Sequence, residues 1–155
     1  METRTKHTYN TRIYQFIKDI LVVCPGCGGK ALVRTGNFQD MRFEVKDVKI
    51  TCSGCGFNNT LRTVPMRSKH LIFGAPLDPF FHLPVWLQAD FSGEVLWAYN
   101  LAHLDFLAEH VGAKLRERNS LKFNVKSVGA RLPRWMTSAG NREAVLRTIE
   151  KLKEK

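Results

Sequence analysis

Four cysteines carry the chemistry most clearly written into this chain. They fall in two pairs, Cys24-Pro25-Gly26-Cys27-Gly28 and Cys52-Ser53-Gly54-Cys55-Gly56, with 24 residues between the pairs. A tetrahedral ion that prefers thiolates needs four sulfurs at about 2.3 Å, and two short loops that each deliver a pair meet that demand. In both pairs one glycine precedes the second cysteine and another follows it. Those glycines free the backbone to curl, so that amide N–H groups can point at the sulfurs. Pro25 stiffens the first loop at a position where no strand ladder needs an N–H. One structural Zn2+ held by Cys24, Cys27, Cys52 and Cys55 is the expectation.

Other chemistries use the same residues. A single iron in a rubredoxin-like site accepts a similar pair of loops and stays open as an alternative metal. Two disulfides would suit a secreted chain, whereas the start, Met1-Glu2-Thr3-Arg4-Thr5-Lys6, lacks an adjoining apolar signal core, and the expected location is the cytoplasm. A redox C-x-x-C calls for one reactive pair on a βαβ pattern, not two matched pairs on hairpins.

The pairs need elements to bring them together. Lys30 to Arg34 reads as a strand, and a second begins at Met41 to Lys46 after a turn around Gly36-Asn37. From Phe43 to Ile50 the apolar residues alternate at Phe43 and Val45, then at Val48 and Ile50. The slip of phase at Asp47 suggests a bulge. Thr60 to Val64 reads as a third strand, ended by Pro65. Two knuckles on short antiparallel strands make a zinc ribbon, a module small enough that metal supplies much of its folding energy.

The strings CPGCGGKALV and TCSGCGF resemble zinc ribbons of the kind named after transcription factor TFIIB. Downstream, LPVWLQ, GEVLWAYNLAHLDFLAEHVGAKLRER and RLPRWMTSAGNREAVLRTIEKL resemble a group of uncharacterised bacterial proteins described as TFIIB-type zinc ribbon-containing. The matching stretches run from about Val23 to Leu152. The resemblance implies a ribbon fold with the four cysteines as ligands. It is silent on mechanism, and a ribbon does not by itself make a transcription factor.

Beyond the ribbon, Pro84 to Gln88 and Glu94 to Ala98 read as two strands around Ser92-Gly93. Asn100 suits an N-cap for a helix with Leu101, Leu104, Leu107, Ala108, Val111 and Leu115 at helical spacing, reaching about Arg118. Pro133 opens a short turn through Trp135 and Met136, and a second main helix starts near Asn141 with Val145, Leu146, Ile149 and Leu152 on one face. The expected fold class is therefore α+β: an N-terminal antiparallel zinc ribbon with its extension in residues 1–64, a connection in 65–79, and a hairpin-plus-helices domain in 80–155. At 155 residues and 44% apolar content the chain can bury a core of its own. No apolar run reaches the ~18 to 20 residues of a membrane-spanning helix.

The net charge is +10, with 24 basic and 14 acidic residues. Residues 71–112 contain no Lys or Arg but hold half of the aromatic residues, so the basic charge lies on the two flanks. Such flanks suit anionic partners, because Lys and Arg release counterions from phosphates on binding. The candidate nucleic-acid contacts are Lys30, Arg34, Arg42, Lys46 and Lys49 on the ribbon, with Phe38 or Phe43 available to stack on a base. A second basic face is expected from Arg131, Arg134, Arg142, Arg147, Lys151 and Lys153. The alternative class is an adaptor that docks an acidic protein surface in a transcription or translation complex.

For an enzyme the sequence names no site. His103 and His110 lie seven apart on a helix, about 10 Å along its axis, which is too far for one shared metal. There is no HExxH pair, phosphate loop or nucleophile elbow, and a four-thiolate metal leaves no open position for water.

Overall fold

The computed structural model describes residues 16–35, 44–65, 71–112 and 132–155. Within them the fold is mixed α+β with antiparallel sheets. Strands β1 (Asp19–Val23), β2 (Lys30–Arg34), β3 (Glu44–Thr51) and β4 (Asn58–Pro65) form a four-stranded antiparallel sheet in the order β1-β2-β3-β4. A hairpin follows in β5 (Leu87–Phe91) and β6 (Glu94–Ala98), then helices α1 (Leu101–Gly112), α2 (Arg134–Thr137) and α3 (Arg142–Lys153).

Strand β1 has no counterpart among the strands read from the sequence. Its five residues alternate half-buried and buried, with Ile20 and Val22 turned into the core. The register Ile20 to Val33 and Val22 to Ala31, continued by Val33 to Ile50, puts one row of apolar side chains across the sheet. Ile20, Val22, Ala31, Val33, Val48 and Ile50 are all buried on that face, which packs against Ile17, Phe80, Val85 and Tyr99. Fully burying one such aliphatic side chain stabilises the fold by about 1.5 to 3 kcal/mol, so this row is the main anchor of the sheet.

Asp47 differs from the expected bulge. Lys46 pairs with Thr63 and Val48 with Leu61, so the register is the same on both sides of it and no residue is inserted. Instead the backbone twists locally, with φ 55° at Asp47, in the left-handed region where Asp is tolerated better than most residues. The turn expected at Gly36-Asn37 lies outside the described residues.

The hairpin is shorter than the sequence suggests at one end. Its turn, Ser92 at φ 49° and Gly93 at φ 86°, has the two positive φ values of a type I′ turn, which matches the twist of the flanking strands. Pro84 to Trp86 does not belong to it, because these residues pair with the outer edge of β1 instead. Val23 N–H donates to the Pro84 carbonyl at 2.9 Å, Trp86 N–H to the Leu21 carbonyl at 2.9 Å, and Leu21 N–H to the Tyr99 carbonyl at 2.8 Å. Buried Asp78 shapes the approach to this segment by accepting the N–H groups of Phe80, Phe81 and Leu83.

A second core lies between the hairpin and the helices: Leu87, Leu96 and Ala98 against Leu104, Leu107 and Val111 of α1 and Val145, Ile149 and Leu152 of α3. Half-buried Phe106 and Leu132 pack against both cores. Asn100 starts α1 as expected, its Oδ1 accepting the His103 N–H at 2.8 Å. The rest of that amide is also used. Nδ2 donates to the carbonyls of Phe16 at 2.7 Å and Asp19 at 2.6 Å, which ties the helix to the entry of β1. His103 ties down the same turn, Nδ1 accepting the Tyr99 N–H at 3.0 Å, one residue ahead of the N-cap N–H that a capping box engages. The described part of α1 ends at Gly112, and its expected extension to Arg118 lies outside the described residues. Helix α2 follows Pro133, and α3 follows Asn141, as the sequence indicates. No described helix is long and apolar enough to cross a membrane.

Candidate metal centre

The antiparallel meander puts the β1–β2 and β3–β4 turns at the same end of the sheet, and those turns are the two cysteine knuckles. Each is built alike. Gly28 N–H donates to the Cys24 carbonyl and Gly56 N–H to the Cys52 carbonyl, both at 2.9 Å. Each loop is closed by the first cysteine, whose N–H donates to the Gly29 carbonyl at 2.7 Å in one knuckle and to the Phe57 carbonyl at 2.9 Å in the other. Gly28 and Gly56 take φ of 75° and 79°, a conformation that glycine adopts without strain. Two copies of one local geometry thus follow from two copies of one short sequence.

The four sulfurs converge, all lying within 4.8 Å of one another. Cys24 Sγ is 3.6 Å from Cys55 Sγ, and Cys27 Sγ is 3.7 Å from Cys52 Sγ. A regular tetrahedron of sulfurs about 2.3 Å from a central zinc has edges of about 3.8 Å. These separations therefore fit one ion bound by all four residues. They are far beyond the ~2.05 Å of an S–S bond, and all four cysteines are free thiols. Cys24 and Cys52 are buried at the top of the first core, while Cys27 and Cys55 are exposed.

The thiols are electrostatically unequal. Burial opposes ionisation of Cys24, but the backbone N–H groups of Cys27 and Gly26, aided by the neighbouring thiols, lower it to about 7. Gly26 N–H lies 3.3 Å from that sulfur. At Cys55 the Phe57 N–H works toward ionisation, yet the neighbouring Cys24 thiol and burial outweigh it and push the group up to about 12. The Cys24 thiolate forms readily and ionisation of Cys55 beside it is opposed, a repulsion that a bound cation would remove. Space around the sulfurs is tight. A Cβ at Gly26 would stand 3.3 Å from Cys55 Sγ, and one at Gly29 would stand 3.3 Å from Cys27 Sγ.

The basic residues named from sequence divide into groups. Arg34 and Lys49 are direct partners across β2 and β3, both exposed. Arg34 Nε bonds Asp19 Oδ1 at 3.0 Å, a surface pair worth about 0 to 1 kcal/mol. Lys30 is exposed beside the first knuckle, with Nζ 3.2 Å from the Lys155 carbonyl and 6.0 Å from the Trp86 ring centre. Lys46 sits in β3 opposite Thr63. Arg42, Arg131, Phe38 and Phe43 lie outside the described residues.

On the helices the picture is mixed. Arg134, Arg147 and Lys151 are exposed, but Glu143, Glu150 and Glu154 are exposed on the same α3 helix and its cap. Arg142 is half-buried, and Lys153 is drawn to Asp105 at 2.9 Å and Glu150 at 3.3 Å. Exposed ribbon cations that the sequence reading passes over are Lys18 and Arg62. It also passes over a cleft of about 320 Å³ lined by Leu32, Arg34, Thr35, Asp47, Lys49 and Thr51. The strand register that joins Arg34 to Lys49 was the missing signal. His103 and His110 are both buried and belong to the packing of α1. No protein-family model matches the chain, and no curated protein or solved structure matches it.

Proposed function

We propose that this chain is a structural-zinc protein that binds nucleic acid, DNA or RNA, on the solvent face of its ribbon. The observation that carries the reading is the direct pairing of exposed Arg34 with exposed Lys49 across β2 and β3, in a sheet whose register the four-cysteine site fixes. Lys18, Lys30 and Arg62 add exposed cations around the same sheet, against two acidic residues with described side chains there, Asp19 and Asp47. Zinc acts by ordering: it joins two knuckles, holds four strands in one register, and so presents the cations at fixed spacing to a phosphate backbone. Four thiolates close its coordination, which assigns the metal a structural part and leaves it no water to activate. The likeness to TFIIB-type zinc ribbon-containing proteins belongs to this proposal and limits neither the polymer nor the process.

Fluorescence anisotropy with labelled single-stranded and duplex oligonucleotides tests the reading. Affinity should fall steeply between about 50 and 200 mM salt, and Lys49→Gln should reduce the salt slope by about one contact. Absence of binding at the low-salt end would reject it. A single acidic protein copurifying with the zinc-loaded chain would then favour the adaptor class.

A further inference from the structure

The ribbon cleft carries more than cations. Its lining, Leu32, Arg34, Thr35, Asp47, Lys49 and Thr51, holds both signs of charge. Among the described residues Arg34 meets one carboxylate, Asp19, through Nε. Lys49 stands opposite on β3, and Asp47, two residues before it, occupies the left-handed twist of that strand. Leu32 supplies apolar surface and exposed Thr51 a hydroxyl.

A bare phosphate would suit Arg34 and Lys49 but would be repelled by Asp47. A duplex backbone has nothing for a carboxylate to bind. One ligand uses both signs of charge. We infer that this cleft takes a single unstacked nucleotide, its phosphate on Arg34 and Lys49 and the N–H edge of its base on Asp47. This inference rests on the proposed nucleic-acid binding and narrows it to single strands. The volume, about 320 Å³, is at the small end of ligand sites, which run from roughly 300 to 1,000 Å³. In a duplex that base edge is already paired, so only a splayed-out nucleotide can present it. A carboxylate is an acceptor only, and guanine offers it two adjacent donors, N1–H and N2–H, where uracil offers one. The cleft should therefore favour guanosine.

The test compares labelled oligo(U), oligo(U) carrying one guanosine, and a duplex containing that sequence, with unlabelled 5′-GMP and inorganic phosphate as competitors. Wild type should bind the guanosine strand about tenfold tighter than oligo(U) and release it to GMP more readily than to phosphate. Asp47→Asn keeps a residue type that accepts positive φ; it should collapse the guanosine preference while leaving oligo(U) binding equal or tighter. Equal binding of both strands, or a guanosine preference that survives Asp47→Asn, would overturn the inference while leaving the nucleic-acid reading in place. Phosphate competing as well as GMP would also overturn it. Binding of GMP without any oligonucleotide would keep the cleft and reject the polymer reading, and no binding of either would reject both.

Discussion

Replacing Asn100 should cost more than an ordinary helix cap. Its side chain makes three hydrogen bonds: Oδ1 accepts from His103, and the two Nδ2 hydrogens go to the carbonyls of Phe16 and Asp19. A lost N-cap costs about 1 kcal/mol, and each lost carbonyl partner costs about 1 kcal/mol. Asn100→Ala should therefore destabilise the protein by about 3 kcal/mol. Asn100→Ser separates the two functions. Serine can cap α1 but has no amide to reach the β1 entry, so it should lose about 2 kcal/mol of that total. Urea unfolding at neutral pH and saturating zinc reads both differences without a change in metal linkage. A serine variant indistinguishable from wild type would show that the ties to Phe16 and Asp19 contribute nothing. An alanine variant within about 0.5 kcal/mol of wild type would refute the whole account, since that is the range of an inert surface change.

The metal and one buried imidazole supply two further predictions. Elemental analysis should find one zinc per chain, and Cys52→Ser should abolish it and open the four-stranded sheet to proteolysis, because Cys52 is both one of the four converging sulfurs and a core residue; full zinc retention would reject the four-thiolate site. Burial lowers His103 to about 3 from the ordinary 6.5, so the folded state stays neutral at a pH where the unfolded state takes up a proton. Stability should then be unaffected above about pH 6.5 and fall by about 1.4 kcal/mol per unit as pH drops from there toward 3. Acid would also release a metal held by the four thiolates, so the comparison is with His103→Gln, which can keep an acceptor for the Tyr99 N–H but does not titrate. The gap between the two proteins should change with pH in that window, and a constant gap would rule out the imidazole as a source.

What could be read from sequence was what is encoded locally. The cysteine loops, the β2 strand, the Ser92-Gly93 turn and the starts of α1 and α3 each depend on a few neighbouring residues, and each is found where the residues indicate. β1 was missed although Ile20 to Val23 runs apolar into Cys24, much as Val48 and Ile50 precede Cys52. That parallel between the knuckles was the available clue. Pro84 to Trp86 looked like part of the hairpin because its true partner, β1, is some sixty residues earlier and no local pattern names it. The phase slip at Asp47 was visible, but a twist and an inserted residue disturb alternation alike, and only the strand register separates them. On α3 the acidic residues between the basic ones were in plain view, and counting only the cations overstated its positive face.

The outer edge of β1 has a consequence for the order in which the chain can be built. Its hydrogen-bonding partners, Pro84, Trp86 and Tyr99, are synthesised long after both knuckles. During translation a metal taken up by the four cysteines would close the four-stranded sheet while Ile20 and Val22 still lack Val85 and Tyr99 over them and the strand edge stands unpaired. An edge of that kind invites pairing with other chains. The nascent sheet is thus most exposed to misassembly between completion of Cys55 and emergence of Tyr99, and a chaperone, or slow loading of a metal at the four cysteines, would act on the yield of folded protein in that interval.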